Sequence, residues 1–210
     1  MIDIDFKWAK ARAYEWSDVK GAKILRPIGD KRYSLEPFKI EGDKPLYIRF
    51  AELDGSEKSC LDFAGAFGPL TEELPRKAET LNGWQREIRK IKGMMRMLGA
   101  HETTVGGIMR TKGSRPVIAP LPSISVTLVP GDIDVAGNVG RPKLLLGPKD
   151  LLDAMYLQLG QFVAGDGILR TCKQCGGWFE CGATESRRSI AVFCEEKCKN
   201  RFHYLERAKR

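Results

Sequence analysis

Five of the six cysteines of this 210-residue chain fall in its last 39 residues, and four of them form two close pairs. Cys172-Lys-Gln-Cys175 is followed, eighteen residues later, by Cys194-Glu-Glu-Lys-Cys198. Each pair can give two thiolates to one ion, and four thiolates close a tetrahedral shell. The first sixteen residues carry acids where a signal peptide has an apolar core, so the cluster reads as metal binding rather than as a disulfide framework. Zinc is the expected ion, and the chain is expected to be cytoplasmic. A shell filled by protein sulfur leaves no open position for water or substrate, which predicts a structural metal rather than a Lewis acid. The same four thiolates would also accept an iron–sulfur cluster.

The residues around the pairs fit a very small metal-centred unit. Gly176 and Gly177 allow a tight turn after Cys175, and Trp178 and Phe179 supply core material. Residues 189–193 (Ser-Ile-Ala-Val-Phe) read as a short strand leading into Cys194. From Glu195 the chain has its acids first and its bases last, the order that suits a helix dipole. The second ligand pair therefore falls at the start of a helix, giving a treble-clef-like order of knuckle, hairpin and helix. Cys181 and His203 are left over as spectators. A redox role for Cys172 and Cys175 lacks the βαβ setting that such a motif requires.

Charge is concentrated in the same segment. The chain has 35 Lys plus Arg against 27 Asp plus Glu, a net +8, and residues 169–210 hold ten bases against five acids. Arg187 and Arg188 precede the expected strand, while Lys197, Lys199, Arg201, Arg207, Lys209 and Arg210 lie on the final helix, with Phe202 and Leu205 to pack on the knuckle. A basic helix projecting from a metal knuckle can lie along phosphates or enter a groove, and DNA is the expected partner. Phosphate contacts position a protein without identifying bases, so no target sequence follows. A protein-interaction module whose charge serves solubility, and an RNA-binding finger, are the alternatives. An exposed Trp178 or Tyr204 would favour single strands.

The segment C-K-Q-C-G-G-W-F-E, the basic stretch T-E-S-R-R-S-I-A-V-F-C and the closing C-K-N-R-F-H-Y-L-E-R-A-K-R resemble the CGNR zinc finger of bacterial proteins regarded as stress-linked transcription regulators. Cys198-Lys199-Asn200-Arg201 matches the signature at three of four places, with Lys199 as the departure. Phe193-Cys194 and Cys198 also keep the frame of bacterial F-C-S-x-x-C-R fingers, with Glu195 in place of the serine. The resemblance implies Cys172, Cys175, Cys194 and Cys198 as zinc ligands and the last helix as a DNA-contacting element. It covers a fifth of the chain firmly. Upstream, C-L-D-F-A-G-A-F-G-P-L is similar to the Leu-Asp-Phe element of the N-terminal domain that accompanies such fingers.

Elsewhere the pattern predicts an α+β fold: a mixed N-terminal domain over 1–147, a connecting helix over 148–168 and the finger over 169–210. Ile2, Ile4, Phe6 and Trp8 alternate as an opening strand, and Leu46, Ile48 and Phe50 as a second. Residues 21–43, rich in Gly, Pro and charge, read as loop. Helices are expected over 57–67, over 81–98, where Leu81, Trp84, Ile88, Ile91, Met95 and Leu98 form one apolar stripe, and over 150–163. The bases Arg86, Arg89, Lys90, Lys92 and Arg96 fall opposite that stripe, as on an ordinary solvent face. Residues 99–122 read as a long loop, and 124–128 and 143–146 as strands.

No run is long and apolar enough for a bilayer span, so no membrane association is expected. The only histidines are His101 and His203, and neither lies in a nucleophile, metal-hydrolase or phosphate-loop motif. His101 beside Glu102 is the one acid–base pair, and enzymatic activity is not expected.

Overall fold

The computed structural model describes residues 2–4, 6–35, 44–71, 79–99, 124–129, 143–165, 167–181 and 190–209. The fold is mixed α+β, with three small sheets and a helical core among the described residues. Its first large element is a hairpin of β2 (Trp8–Val19) and β3 (Ala22–Leu35). Val19 pairs with Ala22 across Lys20 and Gly21, and both turn residues take positive φ, 49° and 79°. That is the backbone whose twist matches a two-residue hairpin. The reading of 21–43 as loop is therefore corrected as far as Leu35. Pro27 costs nothing in a two-stranded ribbon, where every strand is an edge, and Gly29, at φ 79°, sits where the register slips between Ala11 and Ala13.

The opening alternation is also divided differently. β1 (Ile2–Ile4) pairs in parallel with β5 (Lys143–Pro148), and β5 pairs antiparallel with β4 (Ile124–Val129). Trp8 belongs to the other sheet. Residues 46–50, read as a strand, are helical: α1 (Leu46–Ala51) follows Pro45 and buries Leu46, Tyr47, Ile48, Phe50 and Ala51. The apparent alternation failed because Tyr47 is as buried as its neighbours, as expected of a short helix enclosed on several sides rather than a strand with one wet face.

The remaining helices follow their sequence patterns. α2 (Glu57–Phe67) is capped by Ser56, whose side chain accepts from the Ser59 N–H, and buries Cys60, Phe63, Ala64 and Phe67. Lys10 closes its other end, donating to the carbonyls of Gly65 at 2.7 Å and Ala66 at 3.1 Å. α3 (Leu81–Gly99) buries Trp84, Ile88, Ile91 and Met95 from the middle of its stripe. On its solvent side, Arg86 and Lys90 are engaged by Glu87 and Lys92 by the Leu53 carbonyl. α4 (Leu151–Ala164) starts at Asp150, whose carboxylate accepts from the Asp153 N–H at 2.9 Å. Residues 99–122 fall outside the described residues, except for Gly99, which ends α3.

These helices share one core, centred on Trp84. Its ring meets Phe50 at 5.8 Å, Phe63 at 6.0 Å and Trp16 at 6.4 Å. Leu151, Ala154, Met155, Tyr156 and Leu159 of α4 belong to this core, and so does Leu169 from the segment that follows. Two buried acids are satisfied within it. Glu79 accepts from the Thr71 N–H at 2.7 Å and the Trp84 indole at 3.0 Å, and Glu87 accepts from the Tyr156 hydroxyl at 3.0 Å.

Gly68, after α2, is required twice over. Its φ is 95°, and a Cβ there would lie 2.7 Å from Nε1 of Trp8, which is itself held by a 3.0 Å bond to the Pro69 carbonyl. Gly68→Ala is expected to lower stability by about 1–3 kcal/mol, read as a drop in the thermal midpoint. An unchanged melt would show that this close approach does not constrain the fold.

Candidate metal centre

The cysteine pairs are brought together by three local devices. β6 (Ile168–Thr171) and β7 (Trp178–Cys181) form a hairpin with Cys172 at its inner end, and the turn between them folds back on itself. The Gly176 N–H donates to the Cys172 carbonyl at 2.8 Å, the Cys172 N–H donates to the Gly177 carbonyl at 2.9 Å, and Gly176 has φ 71°. This is the tight knuckle that Gly176 and Gly177 predict. A bond from the Lys173 N–H to the Val192 carbonyl, at 3.0 Å, then brings the second segment alongside. Finally α5 (Glu196–Ala208) begins just past Cys194 and carries Cys198 in its first turn.

The four sulfurs lie within 4.8 Å of one another. Cys175 and Cys194 are 3.7 Å apart, and Cys194 and Cys198 are 3.5 Å apart. A disulfide would need about 2.05 Å, whereas an ion held tetrahedrally at about 2.3 Å separates its thiolates by about 3.8 Å. The cluster therefore fits a single metal ion. An iron–sulfur cage would hold the sulfurs farther apart.

The protonation chemistry has the same sense. Burial pushes the Cys172 thiol up, but the backbone N–H groups of Cys175, Cys194 and Gln174 more than offset it and bring it down to about 6. Burial and the sulfurs of Cys198, Cys172 and Cys175 push Cys194 up. The Cys172 proton leaves easily, while Cys194 and Cys198 hold theirs until a cation compensates the crowded negative charge.

The spare residues take no part in this group. Cys181 is buried, with its thiol on the Ile168 carbonyl at 3.4 Å. His203 sets its ring against Phe193 and Phe202, at 6.0 and 5.8 Å. The second, small core consists of Cys172, Phe179 and Cys181, with Ile168, Ala191, Phe193, Cys194 and Cys198 packed on it. Two expectations are corrected here. Residues 190–193 form no strand, because apart from the single bond at Val192 the chain bends to deliver Cys194. Leu205 is 41% exposed, so Phe202, 5.3 Å from Phe193, anchors α5 without it.

No family model, curated protein or solved structure matches the chain.

Strand alternation joins the centre to the rest of the molecule. Phe179 and Cys181 face the small core, while Trp178 packs against the main one. The Trp178 N–H donates to the Glu52 carboxylate at 3.0 Å, and Lys44 holds the same carboxylate at 2.7 Å. The Tyr47 hydroxyl donates to Glu180. A Cβ on Gly177 would stand 3.1 Å from both Glu52 Oε1 and Lys44 Nζ, so the knuckle sits close against the end of α1. Sequence reasoning missed this clamp, since no periodicity links residue 52 to residue 178. Glu52→Ala is expected to cost about 1 kcal/mol and to speed amide exchange at Trp178 while the Trp84 region keeps its protection. Equal loss in both regions would mean that the clamp does not act locally.

Of the residues expected to meet nucleic acid, Lys197, Lys199, Arg201, Arg207 and Lys209 are exposed on or at the end of α5, which buries no residue. Arg187, Arg188 and Arg210 lie outside the described residues. At the helical repeat, Lys197, Asn200, Arg201, Tyr204 and Arg207 share one outward face that contains no acid. Tyr204 is 72% exposed. No helix among the described residues is long and apolar enough to cross a membrane.

Proposed function

We propose that the chain is a zinc-dependent DNA-binding protein, a transcription regulator of the CGNR kind, in which the ion is structural and α5 meets the phosphates. The supporting observation is the pairing of a four-sulfur site sized for one ion with a helix that directs three cations outward on an acid-free face. Zinc is the ion that best suits a closed four-thiolate shell. The site has no vacant ligand position, so its contribution is to fix the direction of α5, which has little else to hold it. No catalytic role is assigned to it.

The test is a fluorescence-anisotropy titration of duplex DNA at low and moderate salt, with and without chelator. Binding should weaken as salt rises, with a logarithmic slope of about −0.9 for each phosphate neutralised. It should vanish with chelator and fall steeply in Lys197→Glu/Arg201→Glu. Salt-independent binding, or none, would shift the reading to a protein-interaction module. The exposure of Tyr204 favours a second reading, a finger for single strands, in which a base stacks on the phenol ring. A single-stranded oligonucleotide that binds tighter than its duplex, and loses that advantage in Tyr204→Ala, would select it.

A further inference from the structure

A cavity of about 200 Å³ opens between the β2–β3 hairpin, the turn after α2 and the end of β5, and it shares no residue with the cysteine centre. Its walls are mostly rings: Phe6, Trp8 and Tyr14 on one side of the sequence, and Pro27, Pro69 and Pro148 contributed by three other segments. Such rings offer flat, stiff surfaces that lose little freedom when something packs between them.

The walls are also fixed before any ligand arrives. Trp8 is 5% exposed, bonded to the Pro69 carbonyl and stacked on Phe6 with centroids 5.6 Å apart and planes 22° from parallel. The Tyr14 hydroxyl accepts from the Ala11 N–H at 2.7 Å. Ala9, Ala11, Lys7 and Lys149 complete the lining, to which no carboxylate among the described residues contributes. Neither lysine is in an ion pair among the described residues, although Lys149 interacts with the carboxylate of its neighbour Asp150. A slot walled by rings, with two lysines and no acid in its lining among the described residues, selects for a ligand that is flat, apolar in its body and anionic at one end.

We propose that this cavity binds a small planar aromatic carboxylate, its ring between the aromatic and proline walls and its carboxylate toward Lys7 and Lys149. The volume suits one ring or two fused rings and is too small for a nucleotide. The inference stands independently of the metal centre and of DNA.

The probes are benzoate and indole-3-acetate, titrated calorimetrically into the full chain, with benzamide and indole-3-acetamide as uncharged counterparts. At least one carboxylate is expected to bind, its amide more weakly. Lys7→Gln/Lys149→Gln should weaken carboxylate binding about tenfold, two partly exposed charges acting together. Its thermal midpoint should stay unchanged, since neither side chain supports the fold. Lys20→Gln/Lys58→Gln, with the same loss of charge elsewhere, should bind as the natural chain does. The proposal is overturned if neither carboxylate binds at millimolar concentration, if amide and acid bind equally, or if both lysine pairs have the same effect.

Discussion

Cys194→Ser is expected to lose the metal ion and to melt β6, β7 and α5 while the helical core around Trp84 stays folded. The small core is built from three cysteines of the cluster, Cys172, Cys194 and Cys198, with Phe179, Cys181 and few other side chains, and α5 buries no residue. A unit of that size has too little apolar surface to fold unaided. A structural zinc contributes on the order of 10–16 kcal/mol in comparable fingers. Hydrogen exchange should show protection lost over the described residues of 172–209. The main core should lose only the packing of Leu169 and Trp178, a modest fall in its melting temperature. Cys181→Ser, by contrast, should keep one ion per chain, because that sulfur is bonded to the Ile168 carbonyl and not to the cluster. Acidification should mimic Cys194→Ser, since protons compete with the ion for the four sulfurs. If Cys194→Ser binds metal at full stoichiometry, or if both cores melt together, the centre is not the local device described above.

Trp84→Ala should be the most damaging single change in the main core. The ring is fully buried, touches three other aromatic side chains and donates to Glu79. Truncating such a residue costs about 3–5 kcal/mol, a large share of the roughly 5–15 kcal/mol that holds a domain together. Denaturant unfolding would measure it. Trp84→Phe separates the two contributions, because it keeps most of the packing but removes the N–H from a buried carboxylate. Burial already raises the pKa of Glu79, against the bonds from Trp84 and Thr71. A carboxyl raised in the folded state stabilises the fold below its unfolded pKa, and that stability is lost as pH rises through the folded value. Losing the donor raises the folded value further. The deficit of Trp84→Phe should therefore be smaller in acid than at neutral pH, and a deficit independent of pH would argue against the Trp84–Glu79 bond.

The candidate centre was legible because ligand spacing is a local property. Cys172, Cys175, Cys194 and Cys198 could be grouped from sequence alone, and the turn at Gly176 and Gly177 followed from the backbone that such a pair requires. α2 and α3 were legible for a related reason, since each buries one stripe and shows its period. α4, which buries Ala154, Met155, Tyr156 and Leu157 in succession, was legible instead from its apolar run between Asp150 and Gly165. Residues 46–50 misled because α1 is too short and too enclosed to show a polar face. Residues 21–35 misled because Pro27 and Gly29, which normally mark loops, are tolerated in a ribbon without a central strand. What the sequence hid were contacts between distant segments. Nothing near Glu52 announces that its carboxylate receives the Trp178 N–H, and nothing near Lys7 announces Lys149.

The pairing of Ile2 with Leu144 bears on the order in which the molecule assembles. The β2–β3 hairpin and the helices can begin from neighbours along the chain, but β1 has no partner until β5 exists, and closing so long a loop is slow. During synthesis β1 therefore leaves the ribosome well before the strand that receives it, with its edges unpaired meanwhile. Among the described segments, one of the earliest made is expected to be one of the last to settle.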